Sequence, residues 1–212
     1  DGQMLAELPA GFANQKQFIA LTTPVGELFA GLQTGEKYVY WKRYDKRLAL
    51  VEPNLETRSS GDQSSKDSVE NHFTDRVLLD VPIVCMGPAG QPVIDLDELL
   101  LGNLAVFYGE GNVKRNLATI AKAKAFPKNV EVAYEVPAAN GALKTFHFSI
   151  SEVPASTGYQ PRKADGRVGY FTVAYRDLGK FRDDQVWQRS ITRWHLEKAD
   201  PALKLSPPKE PI

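Results

Sequence analysis

At 212 residues the chain is long enough for one large domain or two small ones with a substantial buried core. Its composition, 42% hydrophobic and 25% charged, is that of an ordinary globular protein. The 26 basic and 26 acidic residues cancel, which argues against a nucleic-acid partner. No apolar run approaches the roughly 18–20 residues that span a bilayer, so no membrane partner is expected.

Punctuation along the chain is that of a β-rich protein. Residues 4–8 and 18–23 are short strand-like runs, the second closed by Pro24. Residues 38–44 are aromatic and β-branched, and residues 47–51 follow after Asp45 and Lys46, which predicts a hairpin. Alternation in the first arm places Tyr38, Tyr40, Lys42 and Tyr44 on one face and Val39, Trp41 and Arg43 on the other. Residues 54–63 are polar and read as a mobile loop. Ser64 or Ser65 could cap a short helix running to about Asp75, with Val69 and Phe73 on its buried side.

Residues 76–86 return to strand, residues 87–90 turn, and residues 92–95 pair back. Residues 95–101 open with acidic groups and stop at Gly102, which suits a short helix. Residues 102–111 read as irregular, and residues 116–124 fit either helix or extended chain. Residues 129–136 and 143–150 alternate cleanly around an Asn140-Gly141 turn, the strongest hairpin signal of the chain. Strands at 169–175 and 186–197 complete the inventory. The fold class is α+β and mainly β, with antiparallel sheets built from hairpins and two or three short helices. Residues 1–198 read as a single β-rich domain and residues 199–212 as a proline-rich connector.

Few residues carry chemistry. Cys85 lies in an apolar run and reads as buried and inert. His147, between Phe146 and Phe148, is expected to face solvent, and His195 to lie in the last strand. Neither stands beside a nucleophile motif. The acidic groups Asp95, Asp97 and Glu98 fit a helix N-terminus, and Asp183-Asp184 a solvated turn. Tyr38, Tyr40 and Tyr44 form an aromatic face that suits cross-strand packing or, alternatively, the stacking surface of a freestanding peptide- or glycan-binding module. Residues 159–171, Tyr-Gln-Pro-Arg-Lys-Ala-Asp-Gly-Arg-Val-Gly-Tyr-Phe, bring Arg162, Asp165 and Arg167 close enough for one carboxylate to bridge two guanidinium groups.

That run is followed by Arg-Trp-His-Leu-Glu-Lys at 193–198 and by a Pro-Ile end. Together they resemble the segment leading into the catalytic domain of a family of bacterial zinc-dependent metalloproteases, secreted proteins with uncharacterised domains ahead of an HExxH peptidase domain. Residues 93–100 and 124–132 resemble the same pattern. No HExxH occurs here, and His72, His147 and His195 are far too widely separated to be the paired zinc ligands of one helix, about four residues apart.

The resemblance therefore implies a non-catalytic scaffold domain, secreted or periplasmic, that holds no cofactor. The zinc and the bond cleavage would belong to a following peptidase domain of the same polypeptide. It further implies that Arg162, Asp165, Arg167 and Tyr170 face that domain or its peptide substrate. The N-terminus lacks the basic and apolar regions of a signal peptide, as an excised or mature chain would.

Overall fold

The computed structural model describes residues 2–155, 158–167, 169 and 171–207. The elements begin with β1 (Leu5–Glu7), β2 (Lys16–Val25), β3 (Gln33–Tyr44), β4 (Arg47–Glu52) and β5 (Thr57–Arg58). They continue with α1 (Gln63–His72), β6 (Arg76–Met86), β7 (Pro92–Asp95), α2 (Leu96–Leu100) and α3 (Leu104–Tyr108). β8 (Thr119–Ala125), β9 (Asn129–Pro137), β10 (Leu143–Glu152), β11 (Thr172–Asp177), α4 (Asp183–Val186) and β12 (Trp187–Ile191) complete the order. The fold is thus mainly β and antiparallel, as the alternation predicts, with four short α-helices among the described residues where two or three were expected. The chain divides into two compact units, residues 1–54 with 74–154 and residues 55–73 with 155–212.

The first unit is a curled nine-stranded sheet in the order β1-β7-β6-β4-β3-β2-β10-β9-β8. Its hairpins stand where the turn chemistry places them. Tyr44 pairs with Arg47 across a break in which Asp45 takes a φ of 48°, a left-handed backbone that Asp tolerates better than most residues. Between β9 and β10, Gly141 has a φ of 85° and the Asn140 side chain accepts from the Ala142 amide at 3.0 Å, closing the turn.

One face of the sheet carries the core. Ile19, Leu21, Val39, Trp41, Leu48, Leu50, Val81, Val132, Phe146 and Phe148 are buried there with Leu99 and Leu100 of α2 and Leu104 and Phe107 of α3. Fully burying an apolar side chain of this size contributes about 1.5–3 kcal/mol, so this face supplies most of the unit's stability. Phe148 meets Phe107, Tyr108 and Tyr134 edge to face.

Two tyrosines resolve polar debts of the curl. Tyr108 sits where the β10–β2 and β2–β3 ladders slip register, and its hydroxyl accepts from the Thr22 amide at 3.1 Å and lies against the Thr22 and His147 carbonyls. Tyr134 donates to Asp97 at 2.7 Å, and the same carboxylate accepts from the Met4 amide at 2.8 Å. Asp97 therefore ties the chain entering β1 to β9, two regions near opposite ends of the strand order. The acidic start of α2 does more than favour a helix. Asp95 is the cap, accepting from the Glu98 amide at 3.0 Å.

The second unit is a three-stranded sheet, β12-β11-β5, in which β11 is antiparallel to β12 and parallel to β5. Residues 54–63, read from sequence as a mobile loop, thus hold a strand and a helix cap. The cap of α1 is Asp62, accepting from the Ser65 amide at 2.9 Å, and not Ser64 or Ser65. Val69 is buried on α1 as expected and Phe73 is half-buried.

Asp177 is buried at the end of β11 and accepts from the Ser60 and Gly179 amides at 2.8 and 3.0 Å. A Cβ on Gly179 would lie 2.2 Å from the Gly61 nitrogen, so only glycine permits this approach. Burial opposes the charge on Asp177, but the Ser60 and Gly179 donors outweigh it and hold the carboxyl below its usual range.

Three other expectations change and one undecided stretch is settled. Residues 102–111, read as irregular, contain α3, and the undecided stretch 116–124 ends as the edge strand β8. The last strand stops at Ile191, so His195 lies beyond it. Cys85, expected to be buried, is exposed: it has the parity of the buried Leu79 and Val81, but the β6–β7 register slips between Ile83 and Cys85.

Candidate functional site

The loop that sequence singles out is held by its backbone. Ile191 donates to the Arg162 carbonyl at 2.9 Å, Ala164 donates to the Arg189 carbonyl at 2.8 Å, and Lys163 bridges Ser190. The segment thus runs along β12 like an added ribbon. Among the described residues Asp165 bonds Arg167 only, accepting from its amide and its Nε at 3.0 Å. Arg162 reaches Asp165 only through its charge, so the expected bridge between two guanidinium groups is one-sided. The Arg167 contact nevertheless holds the Asp165 carboxyl below its usual range.

This pair is open to solvent, the Arg167 side chain being 87% exposed, so it is not the buried staple whose loss would be costly. A Cβ at Gly166 or Gly169 meets nothing within 4 Å, so among the described residues no contact demands glycine at either position. Tyr170 lies outside the described residues.

The aromatic face of β3 exists, with Val39 and Trp41 buried on the opposite side as alternation predicts. Two of its rings, those of Tyr40 and Tyr44, are already engaged. Lys16 stands 3.7 Å above the centre of Tyr40, and Lys42 stands 5.3 Å from that of Tyr44. The Tyr40 hydroxyl donates to Asp75 at 2.6 Å, and that bond, with partial burial, pushes the phenol up to about 12. Tyr38 is half-buried and only Tyr44 is exposed. The face is built as cross-strand packing capped by ammonium groups.

His147 lies opposite Phe146 and Phe148, as expected, but is mostly covered, its side chain 19% exposed. Its Nε2 approaches Glu131 Oε2 to 2.6 Å in an alignment poor for a hydrogen bond. Ser149 donates to the other oxygen of Glu131 at 2.7 Å. Burial opposes the charge on Glu131, and the Ser149 and His147 contacts outweigh it, so the carboxyl is held low. A nucleophile relay needs the imidazole between hydroxyl and carboxylate. Here the carboxylate is in the middle, an order that cannot deprotonate the serine through His147. His195 stacks edge-on against Tyr159 and pairs with Glu197 at 3.2 Å. Among the described residues no group of three His, Cys, Asp or Glu side chains is placed to hold a metal ion.

What sequence reasoning missed is the apolar surface of the second unit. Phe171, Phe181, Trp194, Leu196 and Leu205 are 90%, 103%, 81%, 72% and 89% exposed. Val173 and Trp187 of the β11–β12 pair are exposed as well, and Arg189 lies over Trp187. A signal was available in the sequence. Phe171, Val173 and Tyr175 share one parity, while the opposite parity, Thr172 and Ala174, offers no bulky apolar face to bury instead.

Comparison with known proteins bears on this arrangement. Residues 31–199 match a family described as a domain of unknown function, DUF5117. The chain belongs to this family. The matched span takes in β3 to β12, hence the aromatic face, the Glu131–His147 contact and the 159–171 loop. No curated protein and no solved structure matches the chain.

Proposed function

We propose that this chain is a non-catalytic accessory domain of a secreted or periplasmic zinc-dependent metalloprotease, and that its second unit packs against the peptidase domain of the same polypeptide. The observation that carries the reading is the apolar surface around β11 and β12. Folded chains rarely leave Phe171, Phe181 and Trp194 so open without a partner. Aromatic rings beside arginines, here Trp187 with Arg189 and Tyr159 with Arg193, are the composition of interface hot spots. The likeness of residues 159–171 and 193–198 to the segments preceding an HExxH domain supports the same partner. In this reading the zinc and the bond cleavage belong to the peptidase domain, and Arg162, Asp165 and Arg167 stand at the rim of the contact, beside its peptide substrate.

The test is expression of the polypeptide continued past residue 212, beside this chain alone, with measurement of bound zinc and of casein hydrolysis. The longer product should bind stoichiometric zinc and cleave casein, and this chain should do neither. Replacing Phe171 and Phe181 together by serine should lower hydrolysis by the longer product while leaving the unfolding midpoint of this chain unchanged. Hydrolysis by this chain alone, or a longer product without zinc, overturns the reading.

A further inference from the structure

The first unit ends in an open edge. β8 is the last strand of the nine-stranded order, and all seven of its residues are exposed. It pairs with β9 on one side, and among the described residues no main-chain bond is made on the other. The alternation of the ladder says which groups are left over. The Phe126 amide donates to the Asn129 carbonyl at 2.8 Å, which makes that pair hydrogen-bonded. Counting back through the antiparallel register, Lys124 opposite Glu131 is bonded again, whereas Ala125 opposite Val130 and Ala123 opposite Val132 are not. The N–H and C=O groups of Ala123 and Ala125 therefore point away from β9, and no described residue bonds them. Gly2 lies near the other end of the strand, where a Cβ on it would stand 3.5 Å from Ile120 Cδ1.

The two faces beside that edge differ in chemistry. On one, Lys124 stands opposite Glu131 in the ladder and Lys122 reaches that carboxylate at 3.8 Å, while Lys124 has no ion-pair partner among the described residues. On the other, Ala123 and Ala125, opposite Val132 and Val130, leave a low apolar step beside the half-open Ile120, 38% exposed, while Phe126 lies on the lysine face. The strand already paired with β8 shows what fits such an edge. β9 begins Asn-Val-Glu-Val, setting valines opposite the alanines and a glutamate opposite Lys124, within 3.8 Å of Lys122. A second copy of β8 is disfavoured, since self-pairing would set lysine beside lysine.

We propose that the free edge of β8 binds an extended peptide that alternates apolar and acidic residues, adding it as a tenth strand. Main-chain bonds to Ala123 and Ala125 hold the peptide, and Lys122 and Lys124 select its acidic positions. The site lies wholly in the first unit and does not depend on the accessory-domain reading, whose tests read zinc and hydrolysis.

The experiment is fluorescence anisotropy of the full chain with a short labelled peptide alternating valine and glutamate, beside its valine–lysine counterpart and a valine–glutamate peptide N-methylated at every other residue. The acidic peptide should bind saturably, and the lysine and N-methylated peptides at least about tenfold more weakly, as expected when charge choice and strand pairing both act. The double variant Lys122→Glu, Lys124→Glu should reverse the preference between the acidic and basic peptides. Ala123→Pro should abolish binding with little change in the unfolding midpoint, because proline is tolerated where an edge N–H faces solvent. Absence of saturable binding, equal binding of the two charge forms, or undiminished binding of the N-methylated peptide overturns the proposal, and these outcomes are all read on the unaltered protein.

Discussion

The two units solve the burial of apolar surface in opposite ways. In the first, a long curled sheet closes its apolar face over α2 and α3, and Phe146, Phe148, Leu48 and Leu100 are sealed from water. In the second, the sheet has three strands, its fully buried positions include the polar Thr57 and Asp177, and its largest aromatic residues stand in solvent. Stability in the first comes from dispersion and desolvation of a dry interior. The second relies on a few main-chain bonds around Asp177 and keeps its apolar surface available. The lesson is that a small sheet, covered by little more than α1, buries few apolar side chains and stabilises its backbone locally.

The contrast is broken most severely at Phe148. Phe148→Ala should cost about 3–5 kcal/mol in urea unfolding, the range for emptying a large buried aromatic site. Phe181→Ala, at a fully exposed position, should stay within about 0.5 kcal/mol. Comparable losses at the two positions would abolish the distinction between the units.

Gly179→Ala sharpens the picture of the second unit. The added methyl overlaps the Gly61 backbone, which cannot yield as a side chain would, so a loss of about 1–3 kcal/mol is expected. Faster hydrogen exchange at the Ser60 and Gly61 amides, with the β9–β10 amides unchanged, would locate the damage. Asp177→Ala leaves the Ser60 and Gly179 amides without their acceptor and should cost about 1–3 kcal/mol as well.

The same carboxylate sets a pH dependence. Its folded-state pKa lies below the unfolded value, so its contribution is complete above the ordinary carboxylate range of about 4 and disappears as pH falls through the depressed folded value. Asp177→Asn should therefore flatten the acid limb of the stability curve of the second unit. An unaltered acid limb would mean that the carboxylate charge contributes nothing there.

The smallest effect is expected at Asp165. Asp165→Ala removes only a solvent-exposed contact to Arg167 and should leave the unfolding midpoint where it is. If it nevertheless weakens hydrolysis by the proposed longer polypeptide, the loop serves the proposed contact with a peptidase domain. A lowered midpoint would show instead that the pair is internal to the unit.

Local chemistry made much of the first unit legible. The Asn140-Gly141 and Asp45-Lys46 turns, the alternation of β9 and β10, and the acidic start of α2 each carry their own geometry within a few residues. What escaped was non-local or too short to show a period. β5 is two residues long and becomes a strand only because β11, from the far end of the chain, lies parallel to it. α3 is five residues between glycines, below the length at which a helical repeat can be read. Among the candidate residues, Asp165 and Arg167 are neighbours in sequence and the His147–Glu131 contact falls within the β9–β10 hairpin that the alternation shows, while the Tyr40–Asp75 bond joins β3 to a distant segment that no local pattern reveals.

Residue order alone was enough to establish the β-rich class, the hairpins and the lack of a paired-histidine zinc motif, because these depend on contacts a few positions apart. The curl that lets Asp97 join Met4 to Tyr134, the exposure of Cys85 and of the β11–β12 aromatics, and the bare edge of β8 arose only from packing. Whether a side chain is covered depends on which distant strand arrives beside it, and the free energy of that arrival is shared among many residues rather than written in any one segment.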